Sequence, residues 1–126
     1  MAGDPDVLSN ILKSVKAGLL IPESETIFDS ALVLHINSAF TNLNNLGVGP
    51  DDGYAISTGS TESWSDLLGV VPESFMSLVK SYTILFVKTL FDPTGSSVIM
   101  TATKELLIQM EARINQQIEL YSLREV

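Results

Sequence analysis

Glu73-Ser-Phe-Met-Ser-Leu-Val-Lys-Ser-Tyr82-Thr-Ile-Leu-Phe-Val-Lys-Thr-Leu-Phe91 decides the fold. Pro72 opens this stretch and Asp92-Pro93 closes it, so the chain between them reads as one helix. Wound at 3.6 residues per turn, its apolar side chains (Phe75, Met76, Leu78, Val79, Tyr82, Ile84, Leu85, Phe86, Val87, Leu90 and Phe91) fall on nearly every side. A helix of that kind has to lie at the centre of a core, with neighbours on more than one face. The remaining segments supply the neighbours. The fold class is therefore all-α.

Three other segments carry helical periodicity. Asp6 to Leu19 places Val7, Leu8, Ile11, Leu12, Val15 and Leu19 on one face, with Pro5 near its start and Gly18 and Pro22 at its end. Thr26 to Leu46 has a stripe of Phe28, Leu32, Ile36, Ala39, Leu43 and Leu46. Thr26 and Asp29 have the spacing of a capping box, and Gly47 suits a left-handed C-terminal cap. Ser96 to Leu123 has Ile99, Ala102, Leu106, Met110, Ile114, Ile118 and Tyr121 as its inner stripe. Between Val48 and Ser60 the period vanishes into turn residues, with Tyr54-Ala-Ile56 as a candidate short strand. A helical turn over Ser63 to Leu68 points Trp64, Leu67 and Leu68 inward. The expected architecture is one domain over residues 1–126, a compact bundle of about four helices with one irregular excursion between the second and third long ones. Residues 119–126 form a candidate docking tail.

Charge is placed unevenly. The 126 residues carry a net charge of −8, yet no Lys or Arg occurs between Ala17 and Val79. That stretch holds Glu23, Glu25, Asp29, Asp51, Asp52, Glu62, Asp66 and Glu73, so it accounts for the whole imbalance. Tight nucleic-acid binding needs the opposite sign. The acidic stretch reads either as a solvated surface or as a wall that repels passing nucleic acid. The apolar fraction of 45% is high for a free-standing chain and points to surface covered by a partner. The acidic N-terminus lacks the positive region of a signal peptide, and the densest apolar run, Tyr82 to Phe91, is too short for a bilayer and broken by Lys88. A cytosolic assembly without membrane contact is expected.

The parts for catalysis are missing. With no cysteine and a single histidine, His35, neither a thiolate nor a zinc ligand set can be made up, and no Ser-His-Asp triad has a serine elbow. Asp51 and Glu62 match the ends of a calcium loop, but Gly53, Ala55 and Ile56 fail the positions between. The run Gly47 to Asp52 lacks the third glycine and the preceding strand of a phosphate loop. A carboxylate pair such as Asp29 with Glu73 is too generic to carry a reaction. No catalytic residue, metal ligand or cofactor site is assigned. Interaction is better supplied: the apolar ring on the central helix exceeds what one neighbour covers, and Leu120, Leu123 and Val126 carry apolar character to the C-terminus, while Trp64 reads most simply as a core anchor.

Several stretches in order along the chain carry a resemblance: Val7-Leu-Ser-Asn-Ile-Leu-Lys-Ser-Val-Lys16, Leu20-Ile-Pro-Glu23, Phe28-Asp29, His35-Ile-Asn-Ser-Ala-Phe40, Leu46-Gly-Val-Gly-Pro50, Gly53-Tyr-Ala-Ile56, Trp64-Ser-Asp-Leu-Leu68, Val79-Lys-Ser-Tyr82 and Leu90-Phe-Asp-Pro93. Together they resemble the small all-helical head–tail connector (adaptor) proteins of tailed bacteriophages. The resemblance implies a non-enzymatic virion protein at the head–tail junction, assembled in the host cytoplasm. It implies a homo-oligomeric ring, of twelve copies, beneath the portal protein, presenting a platform to the next neck, stopper or tail protein, with DNA as passing cargo. It places portal docking on Leu120, Tyr121, Leu123, Arg124 and Val126, and inter-subunit or neck contacts on the loop residues Val48, Pro50, Asp51, Asp52, Tyr54 and Ile56. Asp51, Asp52 and Glu62 are the candidates for an acidic channel wall. The competing expectation is a non-viral helical adaptor or scaffolding module that binds one partner helix in a groove.

Overall fold

The structure, a computed structural model, describes residues 9–58, 61–91 and 97–125, the last five by backbone alone. Five helices follow in order among them: α1 (Ile11–Gly18), α2 (Asp29–Asn45), the single turn α3 (Trp64–Leu68), α4 (Glu73–Phe91) and α5 (Ser97–Glu125). The described residues form no strand; an isolated antiparallel bridge joins Asn10 to Ser63. The all-α expectation holds.

α4 occupies the centre, packed by α1, α2 and α5. Phe75, Val79, Tyr82, Thr83 and Val87 are buried along it, against Ile11, Val15, Leu32, Ile36, Phe40, Leu43 and Trp64 from the elements around it. By length and composition alone α4 would cross a membrane. Its three helical neighbours give that apolarity a different use. Where no neighbour covers it, α4 turns polar: Ser74, Ser77, Ser81 and Lys88 are exposed at helical spacing.

Trp64 anchors the irregular segment. Its ring is buried against Phe40, 6.1 Å between centroids, and its indole N–H donates to Ser14 Oγ at 3.1 Å. α3 itself is fixed by a capping box, in which Ser63 Oγ accepts from Asp66 N while Asp66 Oδ2 accepts from Ser63 N. That box replaces the one expected at Thr26 and Asp29, because the Asp29 carboxylate is taken by Lys16.

Lys16 sits almost without solvent at the end of α1. Its Nζ donates to Glu23 O at 3.1 Å, Glu25 O at 2.6 Å and Asp29 Oδ1 at 2.9 Å. An ammonium has three donors, and all three are satisfied, which is what makes its burial tolerable. The same three bonds hold the loop from Leu19 to Phe28 in one course. An ion pair between Lys13 and Glu23 lies beside them.

Helix ends differ from expectation in informative ways. The continuous helix expected over Asp6 to Leu19 is broken at Asn10, and α1 begins at Ile11: Asn10 is extended (φ −80°, ψ 132°), accepts from Lys13 N through its side chain and bridges to Ser63. Asp6, Val7 and Leu8 lie outside the described residues. Gly47 does take the left-handed C-terminal position of α2, with φ +103°, and Val48 N donates back to Leu43 O. At the end of α1 the same pattern recurs, Ile21 N to Lys16 O and Leu20 N to Ala17 O, but the left-handed residue is Leu20 at φ +62°. Gly18 has another reason: a Cβ there would meet Ile84 Cγ2 at 2.7 Å, so the glycine lets α1 approach α4.

The stripe expected on the long last helix is wrong over its first half. Ile99, Ala102 and Leu106 are exposed, and the buried contacts with α4 come from Leu107 and Ile114. α5 packs chiefly on α4, so it buries a narrow strip. A buried hydrogen bond sets its register: Tyr82 O–H donates to Glu111 Oε2 at 2.7 Å, and Asn42 Nδ2 approaches the same hydroxyl at 3.5 Å. Burial foremost, with the bond to Glu111, holds the Tyr82 phenol well above its usual pKa of 10.0.

Three outcomes follow from these contacts. Lys16→Met leaves Asp29 and two carbonyls without their donor and lowers unfolding free energy by about 3 kcal/mol in urea titrations. Leu20→Gly relieves the left-handed strain, partly offset by chain entropy, and raises stability by about 0.5–1 kcal/mol, seen as a Tm increase of a few degrees. Tyr82→Phe costs about 1–2 kcal/mol near neutral pH. Because the folded state holds the phenolic proton more tightly than the unfolded one, the stability linked to Tyr82 is intact below pH 10 and declines as pH rises above it. Thermal melts of Tyr82→Phe lack that part of the alkaline decline.

Candidate functional site

The surfaces available for contact begin with the Lys16-pinned loop. Leu20 is 90% exposed and Ile27 77% exposed, standing on either side of the segment that the ammonium ties down. Phe28 is partly exposed and meets Phe91 edge-on, 5.2 Å between ring centroids, at the C-terminal end of α4. A loop held by three charge-assisted bonds and one strained residue, yet showing its apolar side chains to solvent, is built to present them. The sequence pattern did not single this loop out, because Leu20 and Ile27 look like ordinary core residues until the backbone turns them outward.

A second surface runs between α4 and α5. Leu78, Leu106 and Met110 line a groove of about 510 Å³ together with Ser77, Ser81 and Arg113. Arg113 is exposed and has no ion-pair partner among the described residues. Further along α5, Val98 and Ile108 are also exposed. Monomeric proteins rarely leave so much apolar surface uncovered along one helix.

The loop read from the sequence as a contact site divides into two kinds of residue. Val48 and Ile56 are buried in the core. The backbone of Ile56 is paired with a side chain: its N donates to Asn37 Oδ1 at 2.8 Å and its O accepts from Asn37 Nδ2 at 3.0 Å. That amide occupies the place of a neighbouring strand, so Tyr54 to Ile56 is extended without forming one. Tyr54 packs against Phe40 and is half-buried; burial first, then the Asp66 and Glu62 carboxylates, raise its phenol pKa. Pro50, Asp51 and Asp52 are exposed on a turn closed by Gly53 N donating to Pro50 O. Glu62 is partly buried, and its Oε2 accepts from both N and Oγ of Ser57.

The C-terminal residues continue α5 as backbone through Glu125. Leu120 is partly exposed. The side chains of Tyr121, Leu123 and Arg124, and Val126 entirely, lie outside the described residues. Ile118 lies by Phe75, two residues from the start of α4, and α5 runs on to Glu125, about 10 Å further at 1.5 Å per residue, so its end projects past the start of α4. Ile118, just before that projection, shares a groove of about 540 Å³ with Val48, Pro50, Val70 and Phe75. The structure thus brings the turn at Pro50 and the base of the C-terminal helix end together.

No group of three or more His, Asp or Glu side chains is placed to hold a metal ion among the described residues. His35 is half-buried on α2, and Asp29 belongs to Lys16, away from any pairing with Glu73.

A comparison with curated proteins and another with solved structures returned no match. The family model described as "Phage connector protein" matches residues 11–120, which takes in α1 to α4, most of α5 and both exposed apolar surfaces. This chain therefore belongs to the phage connector protein family, with a structural, connecting role in the virus particle.

Proposed function

We propose that the chain assembles as a ring of twelve copies beneath the portal protein of a tailed bacteriophage, lengthens the DNA channel and gives the next neck, stopper or tail protein its platform. The observation that carries this reading is the exposure of apolar side chains on two separate parts of one subunit, the Leu20–Phe28 loop and the α4–α5 groove. Two different faces meeting each other produce a head-to-tail contact, which closes into a ring when rotation alone relates the copies. The projecting end of α5, from Leu120 through Tyr121, Leu123 and Arg124 to Val126, docks on the portal. The exposed turn at Pro50, Asp51 and Asp52 meets a neighbouring subunit or neck protein.

DNA passes through this ring without being held. The segment from Ala17 to Val79 has no Lys or Arg to neutralise a phosphate, and Asp51 and Asp52 stand exposed on it. With Glu62 they form an acidic wall that lets a duplex slide. The alternative of a non-viral scaffolding module has no observation of its own, and membership of the connector family weighs against it.

Electron microscopy of the protein mixed with its cognate portal tests the reading. Ring density sharing the portal's symmetry, with Asp51 and Asp52 towards the axis, is expected. Bare portals beside a free monomer overturn the ring, and those acids on the outer rim overturn the wall.

A further inference from the structure

We infer that the loop from Leu20 to Phe28 of one subunit seats in the α4–α5 groove of the next copy, so that Leu20 and Ile27 meet Leu78, Leu106 and Met110 while Glu25 pairs with Arg113. The inference rests on the ring reading and names the two faces that make it.

Each half of the contact is incomplete in a way the other half completes. The loop offers apolar tips with a carboxylate between them: Leu20 and Ile27 are solvent-exposed, and Glu25 is exposed in a stretch without any basic residue outside Lys16. The groove offers apolar walls, small serine side chains that leave room, and Arg113 as its one charged lining residue. A guanidinium beside an apolar trough selects a carboxylate on an apolar segment, and the charge pairing fixes the register of the contact. The loop is also ready for binding. Lys16 holds its backbone at Glu23 and Glu25, so little conformational freedom is lost on docking.

Within one folded chain this contact is not made: Leu20 and Ile27 stay exposed. The Phe28 end of the loop stands by Phe91 at the C-terminal end of α4, whereas the groove lies along Ser74 to Ser81 near its start. That is about 20 Å further along the helix at 1.5 Å per residue. Loop and groove are therefore assigned to different copies. A contact with this offset closes into a ring when the bundle is inclined to the rotation axis.

Leu20 supplies a test that separates assembly from folding. Its left-handed backbone costs the monomer stability, and its side chain is almost wholly exposed. Leu20→Gly is expected to melt higher and yet weaken assembly on the portal about tenfold or more. Assembly unchanged in that variant overturns the inference. The cysteine-free chain allows a direct measurement as well. An Ile27→Cys, Met110→Cys double variant, oxidised on the portal, is expected to give a ladder of covalent oligomers, with neither single variant doing so. Arg113→Glu is expected to weaken assembly, and Glu25→Arg with Arg113→Glu to restore it. Circular dichroism of each variant controls for folding. Rings that form normally while the double variant fails to cross-link refute this contact and leave the ring standing. Cross-linking of Ile27→Cys alone points to a two-fold contact and refutes it too. Absence of rings with the unaltered chain removes the reading beneath it.

Discussion

An ammonium without solvent must find three acceptors, and the way Lys16 finds them governs how this chain is laid out. Its partners lie 7, 9 and 13 residues further on, so satisfying it draws the whole connection between α1 and α2 into one path. That path brings Phe28 against Phe91 and starts α2 along α4. It also forces Leu20 into a left-handed backbone and turns Leu20 and Ile27 away from the core. Stability and display thus come from the same bonds: the charge that orders the loop is the reason its apolar residues are held in water.

The second constraint is geometric. α4 is apolar on too many sides for any single neighbour, and α1, α2 and α5 close around it. α5 receives little in return. With α4 as its main neighbour, its buried side chains among the described residues are Leu107 and Ile114, and Val98, Ile99, Leu106 and Ile108 remain outside. A long helix with one covered strip and apolar residues elsewhere is an incomplete structure in the chemical sense. Membership of the phage connector family gives that incompleteness a purpose, since a connector exists to join other parts.

Much of this was legible in the sequence, and the reasons differ by element. The bounds of α4, the burial of Trp64 and the left-handed Gly47 were readable because each rests on local chemistry: Pro72 at one end, an indole that needs enclosure, a glycine after an apolar stripe. The inner face of α5 was not, because apolar residues surround its first half and periodicity cannot say which side a single neighbour will cover. Gly18 was legible as a helix end but not as a gap for Ile84, which depends on a residue 66 positions away. The Tyr54–Ile56 segment has strand composition, and only the fold reveals that the Asn37 amide stands where a strand would. The residues at the proposed contacts divide in the same manner. Exposed Asp51 and Asp52 follow from composition and turn chemistry, whereas Val48 and Ile56 were drawn into the core by neighbours distant in sequence, and Leu20 and Ile27 came to light only through the Lys16 bonds.

The central claim is that apolar surface left over by one subunit is covered by identical copies. Hydroxyl-radical footprinting of the free chain and of the chain assembled on its portal measures that coverage residue by residue. The account predicts that Leu20, Ile27, Leu106 and Met110 react readily in the free chain and become protected together on assembly. Oxidation of all four at undiminished rates in the assembled particle would contradict it.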